Sequence, residues 1–408
     1  MAQILIIGGG IAGAASALAL HKAGFEVVLH EAHPDTGQDI GAFLTLASNG
    51  MRALTQFDAG PAVARFGFPL TTMRVLDDAG SPAADVPLGE HDNPATAYRC
   101  LLRAELAATL RDEVRRRGIT IQQGSRLVAL REDEDGVTAE FSAGHSATGC
   151  LLIGADGLNS RTRALITPRA AAGGRPATAS EARYAGQQVF YGYTTKAAPP
   201  TSPERITMIR STYAAFGYAV SPAGETYWFA RINGEAASAE DIAKGTAAEW
   251  RERLIPILRR ADTPAADIVA ATGDRLMLTN AWDLPPGIPW HTGRTVLLGD
   301  AAHAASPATG QGASMALEDA VVLAKAMRDA PDQASALAGY ERVRRPRVEH
   351  NIVVSAQLTA GVSPSRPGPA FDPDRRGAQP GGGSGRPPVT HTDEELIDLL
   401  DWNTEFAF

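Results

Sequence analysis

The chain has 408 residues with 46 acidic against 38 basic side chains, and its formal net charge of −8 argues against nucleic acid as a partner. That length holds roughly one large domain or two to three ordinary ones, and a hydrophobic share of 44% is ordinary for a globular protein. Two cysteines, Cys100 and Cys150, make no disulfide framework, and no Cys/His spacing forms a metal site, so buried thiols and a reducing, cytoplasmic setting are expected.

The first element is an apolar strand, Ile4-Leu5-Ile6-Ile7, that meets Gly8-Gly9-Gly10-Ile11-Ala12-Gly13 and an alanine-rich helix ending at Gly24. A second strand, Val27-Val28-Leu29, delivers Glu31. This strand–turn–helix–strand–acid order is the dinucleotide-binding fingerprint. Gly8 makes the tight turn, Gly10 lets backbone approach a pyrophosphate, and Gly13 lets the helix pack close to the strand. The helix N-terminus offers free N–H groups to phosphate, and Glu31 accepts from a ribose. Ile4 to Leu20 is uncharged and near the length of a membrane span or signal segment. Four glycines in place of bulky side chains, and no basic residue ahead of them, argue against both, and no stable membrane association is expected.

After a polar loop, residues 41–46 read as a strand, and Ser48 or Asn49 is placed to cap a short helix. Residues 73–90 read as a hairpin with a Pro-interrupted edge strand, and 98–102 as another strand. Arg103 opens an amphipathic helix in which Leu106, Leu110 and Val114 recur before Gly118 stops it. A meander follows at 119–122, 126–132 and 137–141. Cys150 to Arg163 is the second dense motif, a buried strand running into Gly154-Ala155-Asp156-Gly157 and a helix with Ser160 and two arginines. Asp156 there either accepts hydrogen bonds from a cofactor or its loop, or caps a tight strand–helix turn; the residue types do not decide.

Residues 167–185 read as a flexible loop. The pattern then turns to β at 189–194, 206–211, 215–220 and 226–232, with a turn at Ser221-Pro222-Ala223-Gly224, and these strands carry most of the aromatic residues. A helical segment at 238–260 precedes a strand at 274–279. The third motif runs Leu298-Gly299-Asp300-Ala301-Ala302-His303 and on to Pro307, Gly310, Gln311, Gly312 and Ala313, opening a long helix. Glycines ahead of a helix let backbone approach a ligand and aim N–H groups at it. Asp300 is a candidate ribityl or ribose partner. His303 is placed as a packed histidine in preference to a general base. The last helix, 334–360, carries Arg342, Arg344, Arg345 and Arg347, which read as a mostly solvated basic face. Residues 361–391 lack the apolar content for a core and read as a disordered linker. Residues 392–408 form an acidic amphipathic tail that docks on this chain, on a second subunit, or nowhere.

Three strand–glycine–acid motifs in this order resemble the class A flavin-dependent monooxygenases of the p-hydroxybenzoate hydroxylase fold, a likeness covering roughly residues 1–350. It implies an α/β fold in which a Rossmann-like FAD-binding domain carries an inserted mixed β-sheet substrate domain and C-terminal helices. The expected division is 1–72, 98–166 and 274–330 for FAD, 73–97 and 167–273 for substrate, and 331–360 for a C-terminal helix. By resemblance, Gly8, Gly10, Ile11, Ala12, Gly13, Glu31 and Ala32 surround the FAD adenosine, and Arg103 contacts its phosphates. Asp156 stands in the second FAD motif, shared with the nicotinamide route. Gly299 and Asp300 meet the ribityl chain, and Pro307, Gly310, Gln311, Gly312 and Ala313 lie beside the flavin ring. The chain departs from many relatives in having Ser314 where they have Asn.

The resemblance further implies that NADPH or NADH, bound transiently for want of a second glycine fingerprint, reduces FAD. O2 then gives a flavin C4a-hydroperoxide that hydroxylates or epoxidises an aromatic or polyketide-like small molecule of secondary metabolism. Tyr191, Tyr193, Phe216, Tyr218, Tyr227 and Phe229, with Phe190, are candidate pocket residues. Because strands alternate, about half of them must face elsewhere. No general base is assigned. The competing readings are a reductase or dehydrogenase, a Baeyer–Villiger-type oxygenase, a halogenase (whose Trp-x-Trp-x-Ile string is absent) and a flavin-binding interaction module. A monomer or homodimer is expected.

Overall fold

The computed structural model describes residues 3–33, 41–90, 93–167, 181–361 and 394–408. Its centre is a five-stranded parallel sheet in the order Thr295–Leu297, Leu151–Gly154, Ile4–Ile7, Val27–His30, Thr120–Gln122. Strands covered on both faces read as continuous apolar runs, and all of Ile4–Ile7 and Leu151–Gly154 is buried. The helices Ile11–Lys22 and Gly312–Asp329 pack against each other in the core of this part. Alanines at Ala14, Ala15, Ala17 and Ala19 permit the close approach. A three-stranded antiparallel meander, Leu127–Glu132, Val137–Phe141 and Ser146–Gly149, leads back into the parallel sheet.

The second large element is a seven-stranded sheet in the order Leu276–Asp283, Arg183–Thr194, Thr226–Asn233, Ala215–Val220, Arg205–Arg210, Thr72–Leu76, Pro82–Pro87. Its pairs are antiparallel except Arg205–Arg210 with Thr72–Leu76. One face packs Phe190, Phe216, Tyr218, Trp228 and Ala230 against the helices Ala247–Leu258 and Ala265–Ala270. The other carries Tyr191, Tyr193, Tyr227 and Phe229 around Phe43, from the small sheet Phe43–Leu46, Arg99–Leu102, Phe68–Pro69.

Several local expectations need correction. The strand near 274, placed by sequence with the nucleotide-binding part, is the edge strand of the seven-stranded sheet, paired with Arg183–Thr194. Neither Ser48 nor Asn49 caps the second helix: its N-cap is Ala47, without a side-chain bond, and both polar residues lie buried inside the first turn. The segment 238–260 is two helices, Ala239–Lys244 and Ala247–Leu258, because Thr246 and Glu249 form a new capping box. The proposed linker falls almost wholly outside the described residues.

The tail docks on its own chain. The helix Glu394–Leu400 buries Leu396 and Leu400, and Phe406 is buried beyond it. The buried Lys325 ammonium donates to Leu399 O at 2.7 Å and Thr404 Oγ1 at 2.8 Å, and also to Asp401 O. Trp402 lies under Lys22 and Arg328.

The last helix, Gln333–Thr359, does not carry a simple solvated basic face. Arg344 is fully buried with Glu318 and Asp319. Its guanidinium donates to Asp319 Oδ1 at 2.8 Å and to Glu318 Oε2, while Arg347 bonds Glu318 from the other side and His303 bonds Asp319. Burial works against the Asp319 carboxylate, but His303 and Arg344 outweigh it and hold its pKa down at about 2.

Candidate active site

At the C-terminal edge of the parallel sheet lies a cavity of about 610 Å³, which continues to the aromatic face of the seven-stranded sheet. Ligand crevices in open α/β sheets occur at this edge. The glycine loop forms one end. Gly8 has φ +105°, and a Cβ there would sit 2.5 Å from the Ala155 carbonyl; one at Gly13 would sit 1.8 Å from the Gly8 carbonyl. Gly13 thus serves close packing and does not line the cavity. A Cβ at Gly10 would meet no protein atom within 4 Å, and Gly10, Ile11 and Ala12 face the opening.

Glu31 and Ala32 line the same end. The Glu31 carboxylate accepts from Gly9 N at 2.6 Å and from His33 N at 2.9 Å, while Arg111 donates to Gly9 O at 3.1 Å. Glu31 therefore fastens the loop. Its two oxygens still have lone pairs for ribose hydroxyls. His30, stacked on Phe141 at 4.6 Å, has both ring nitrogens buried without partners, and burial with the neighbouring His145 lowers its pKa to about 4. Sequence reading passed over it.

Arg103, the exposed first residue of the helix Arg103–Arg116, lines the cavity. Asp156 reaches it too, but its carboxylate accepts from Thr162 N at 3.0 Å, from Thr162 Oγ1 at 3.1 Å and from Ser160 Oγ. The capping alternative thus describes what its side chain does in this structure. Asp300, first residue of the short helix Asp300–His303, lines the cavity with an oxygen near Gly312. Gly299 stands back from the opening, giving its N–H to Asp319 at 3.0 Å and passing close to Ala12. His303 is buried against Trp290 and bonded to Asp319, facing away from the cavity.

Pro307, Gly310, Gly312 and Ala313 border the opening. Gln311 does not: its side chain is buried, and its amide oxygen accepts from Asn49 Nδ2, which also bonds Glu318. Ser314 likewise turns inward, accepting from Ala47 N at 3.3 Å.

On the sheet side, alternation separates the aromatic candidates. Tyr191 and Phe229 line the cavity; Tyr193 and Tyr227 share their face but pack around Phe43, with Tyr193 donating to Gly41 O at 2.8 Å. Phe190, Phe216 and Tyr218 lie on the opposite face. Arg231 also lines the cavity and was missed. Its signal was present: in Thr226–Asn233 it follows Tyr227 and Phe229 at every second position, a lone cation on an aromatic face.

A dinucleotide fits this site on the structure's own terms. The cavity is within the roughly 300–1,000 Å³ of small-molecule sites. Gly10 leaves room at the helix N-terminus, and the Arg103 guanidinium and the Asp300 carboxylate line the same cavity. Among the described residues no cluster of His, Cys, Asp or Glu could hold a metal ion, and no helix is long and apolar enough to cross a membrane.

Residues 1–355 match the family model described as "FAD binding domain". The FAD-dependent urate hydroxylase of Klebsiella pneumoniae is 31% identical over 375 residues, covering 88% of this chain and 90% of that one. The aurachin C monooxygenase/isomerase of Stigmatella aurantiaca is 28% identical, covering 87% and 88%. Among solved structures, Klebsiella pneumoniae HpxO complexed with FAD and uric acid superposes with a TM-score of 0.74 at 28% identity, over 88% of this chain and 89% of that one.

Proposed function

The chain belongs to the FAD binding domain family and is an FAD-dependent monooxygenase using NAD(P)H and O2, and from that premise we propose hydroxylation or epoxidation of an aromatic or polyketide-like small molecule. One observation carries the reading: a single cavity runs from the glycine fingerprint to the aromatic sheet face. Bound FAD supplies the transfer of electrons from NAD(P)H to O2, and the protein supplies position and dryness.

In this reading Gly8, Gly10, Gly13 and Glu31 shape the adenosine end, Arg103 neutralises the diphosphate, and Asp300 accepts from the ribityl hydroxyls. Asp156 acts by fixing the strand–helix turn beside them. The backbone at Pro307, Gly310 and Gly312 borders the ring. Tyr191 and Phe229 face the substrate, while Tyr193, Tyr227 and Phe43 seal the floor behind them, so that water is kept from the reacting atoms. A cytoplasmic monomer or homodimer, and the division into FAD-binding and substrate parts, belong to the same reading.

The test follows NAD(P)H consumption with the FAD-loaded protein across phenols, polyketide-like compounds and uric acid, under air and without oxygen. The expected result is oxygen-dependent consumption with one atom of labelled O2 in the product. Turnover without oxygen, giving an unlabelled product, would instead establish a reductase or dehydrogenase.

A further inference from the structure

The helices Ile11–Lys22 and Gly312–Asp329 are held at both ends. At their N-termini, Ile11 and Ala12 of the first and Gly312, Ala313 and Ala316 of the second line the cavity. At their C-terminal ends both meet the segment 394–408, which lies beyond the residues 1–355 matched by the family model. Lys22, the last residue of the first helix, and Arg328, next to last in the second, stand over the Trp402 ring at 5.2 and 5.1 Å from its centroid.

Hydrogen bonds fasten the same junction. Arg328 donates to Trp402 O at 2.6 Å and to Thr404 O at 3.2 Å, beside the bonds from Lys325. In the other direction the Phe406 N–H donates to Asp329 Oδ2 at 2.8 Å, and the Trp402 N–H to Gln56 Oε1 at 2.9 Å. Leu396, Leu400 and Phe406 belong to the core cluster that also contains both helices. One short segment therefore clasps two helices at the ends remote from the cavity. At 1.5 Å per residue those helices are about 18 and 27 Å long. Each is stiff along its axis and they pack directly on each other, so freeing one pair of ends alters how the other pair is presented.

We propose that the segment 394–408 is a strap coupled to the cofactor: its docking favours the helix arrangement that binds FAD, and bound FAD in turn holds the strap down. Linkage makes the two effects equal in size. This rests on the reading that seats FAD against the two helix N-termini, and its test needs no turnover. Hydrogen exchange of the full chain is followed by mass spectrometry with and without saturating FAD. The Trp402 and Phe406 amides are bonded to the body of the protein, so their exchange reports undocking. FAD dissociation constants are then measured for wild type, Trp402→Ala, Trp402→Phe and Leu254→Ala. Leu254 is buried behind the far face of the seven-stranded sheet, so its truncation destabilises the protein away from both helices.

Saturation with FAD should slow exchange in 394–408 at least about tenfold and leave the helix Ala247–Leu258 unmoved. Trp402→Ala should raise the FAD dissociation constant by a similar factor. Trp402→Phe, which keeps a ring for the two cations, should recover most of the loss, and Leu254→Ala should stay within about threefold of wild type. Strap exchange indifferent to FAD, or equal slowing of both segments, would overturn the coupling. So would an unchanged FAD constant in a Trp402→Ala protein whose strap exchanges freely, or equal weakening by Leu254→Ala. Where Trp402→Ala keeps its strap protected, the wild-type exchange decides alone. A wild type that takes up no FAD would overturn the cofactor reading as well, which tells the two failures apart.

Discussion

Replacing Arg344 by Met tests the buried ion cluster of Glu318, Asp319 and Arg344 behind the loop at 307–312. Arg344, Glu318 and Asp319 are all fully buried. Without the guanidinium, Glu318 keeps Arg347 and Asn49, and among the described residues Asp319 keeps only His303 and the Gly299 N–H. Removing one partner of a buried pair costs about 3–5 kcal/mol, a large part of the roughly 5–15 kcal/mol that holds a domain folded. The acid limb gives a second readout. Asp319 is held near 2 from an ordinary 3.8, a depression worth roughly 2–3 kcal/mol. Because its folded pKa is lowered, that contribution is present above pH 3.8 and disappears as pH falls through 2. In Arg344→Met the folded pKa rises toward the unfolded value, so the stability difference between variant and wild type should be full from neutrality down to about pH 4 and shrink as pH falls from there toward 2. Urea denaturation across that range measures both. A midpoint change equivalent to under about 1 kcal/mol, or a difference that does not vary with pH, would refute the view that these charges are mutually compensated.

Gly13→Ala places a methyl group 1.8 Å from the Gly8 carbonyl, and the helix must move off the strand; FAD retention on gel filtration should fall at least about tenfold. Gly217→Ala puts a Cβ 2.5 Å from the Phe229 ring and 2.8 Å from Met208 Sδ. It should drive the ring into the cavity, weakening substrate binding seen by flavin difference spectra while costing about 1–3 kcal/mol of stability. Deleting residues 394–408 removes the three acceptors of Lys325 and uncovers the contacts of Leu396, Leu400 and Phe406. The loss should reach about 3 kcal/mol or more in a denaturation series, and an unchanged midpoint would count against the tail as part of the folded unit.

The elements legible in the sequence were those whose signal is local. Ile4 to Glu31 carries strand, turn, helix and acid within one short stretch, and the structure places them as read. For Arg344 position overrides residue type: Tyr340, Arg344, Val348 and Ile352 recur at every fourth residue and form one buried stripe. Only the acids of a distant helix, Glu318 and Asp319, make an arginine tolerable there. Residue type cannot decide the role of Asp156, because a cap and a cofactor contact require the same residue in the same place. Gly245 ended a helix that periodicity carried through, since the capping box of Thr246 competes with continuation. Arg231 needed the observation that it shares a face with Phe229, which alternation alone supplies.

The two faces of the seven-stranded sheet give one backbone two separate evolutionary ledgers. Along Thr226–Asn233, Tyr227, Phe229 and Arg231 look toward the cavity side, whereas Trp228, Ala230 and Ile232 are locked into the packing against the outer helices. A change at Phe229 or Arg231 alters the cavity lining and leaves the layer beneath intact; a change at Trp228, Ala230 or Ile232 strikes the fold and leaves the cavity chemistry in place. Substrate preference can therefore drift by single steps without passing through unstable intermediates, which is how one scaffold comes to serve many different small molecules.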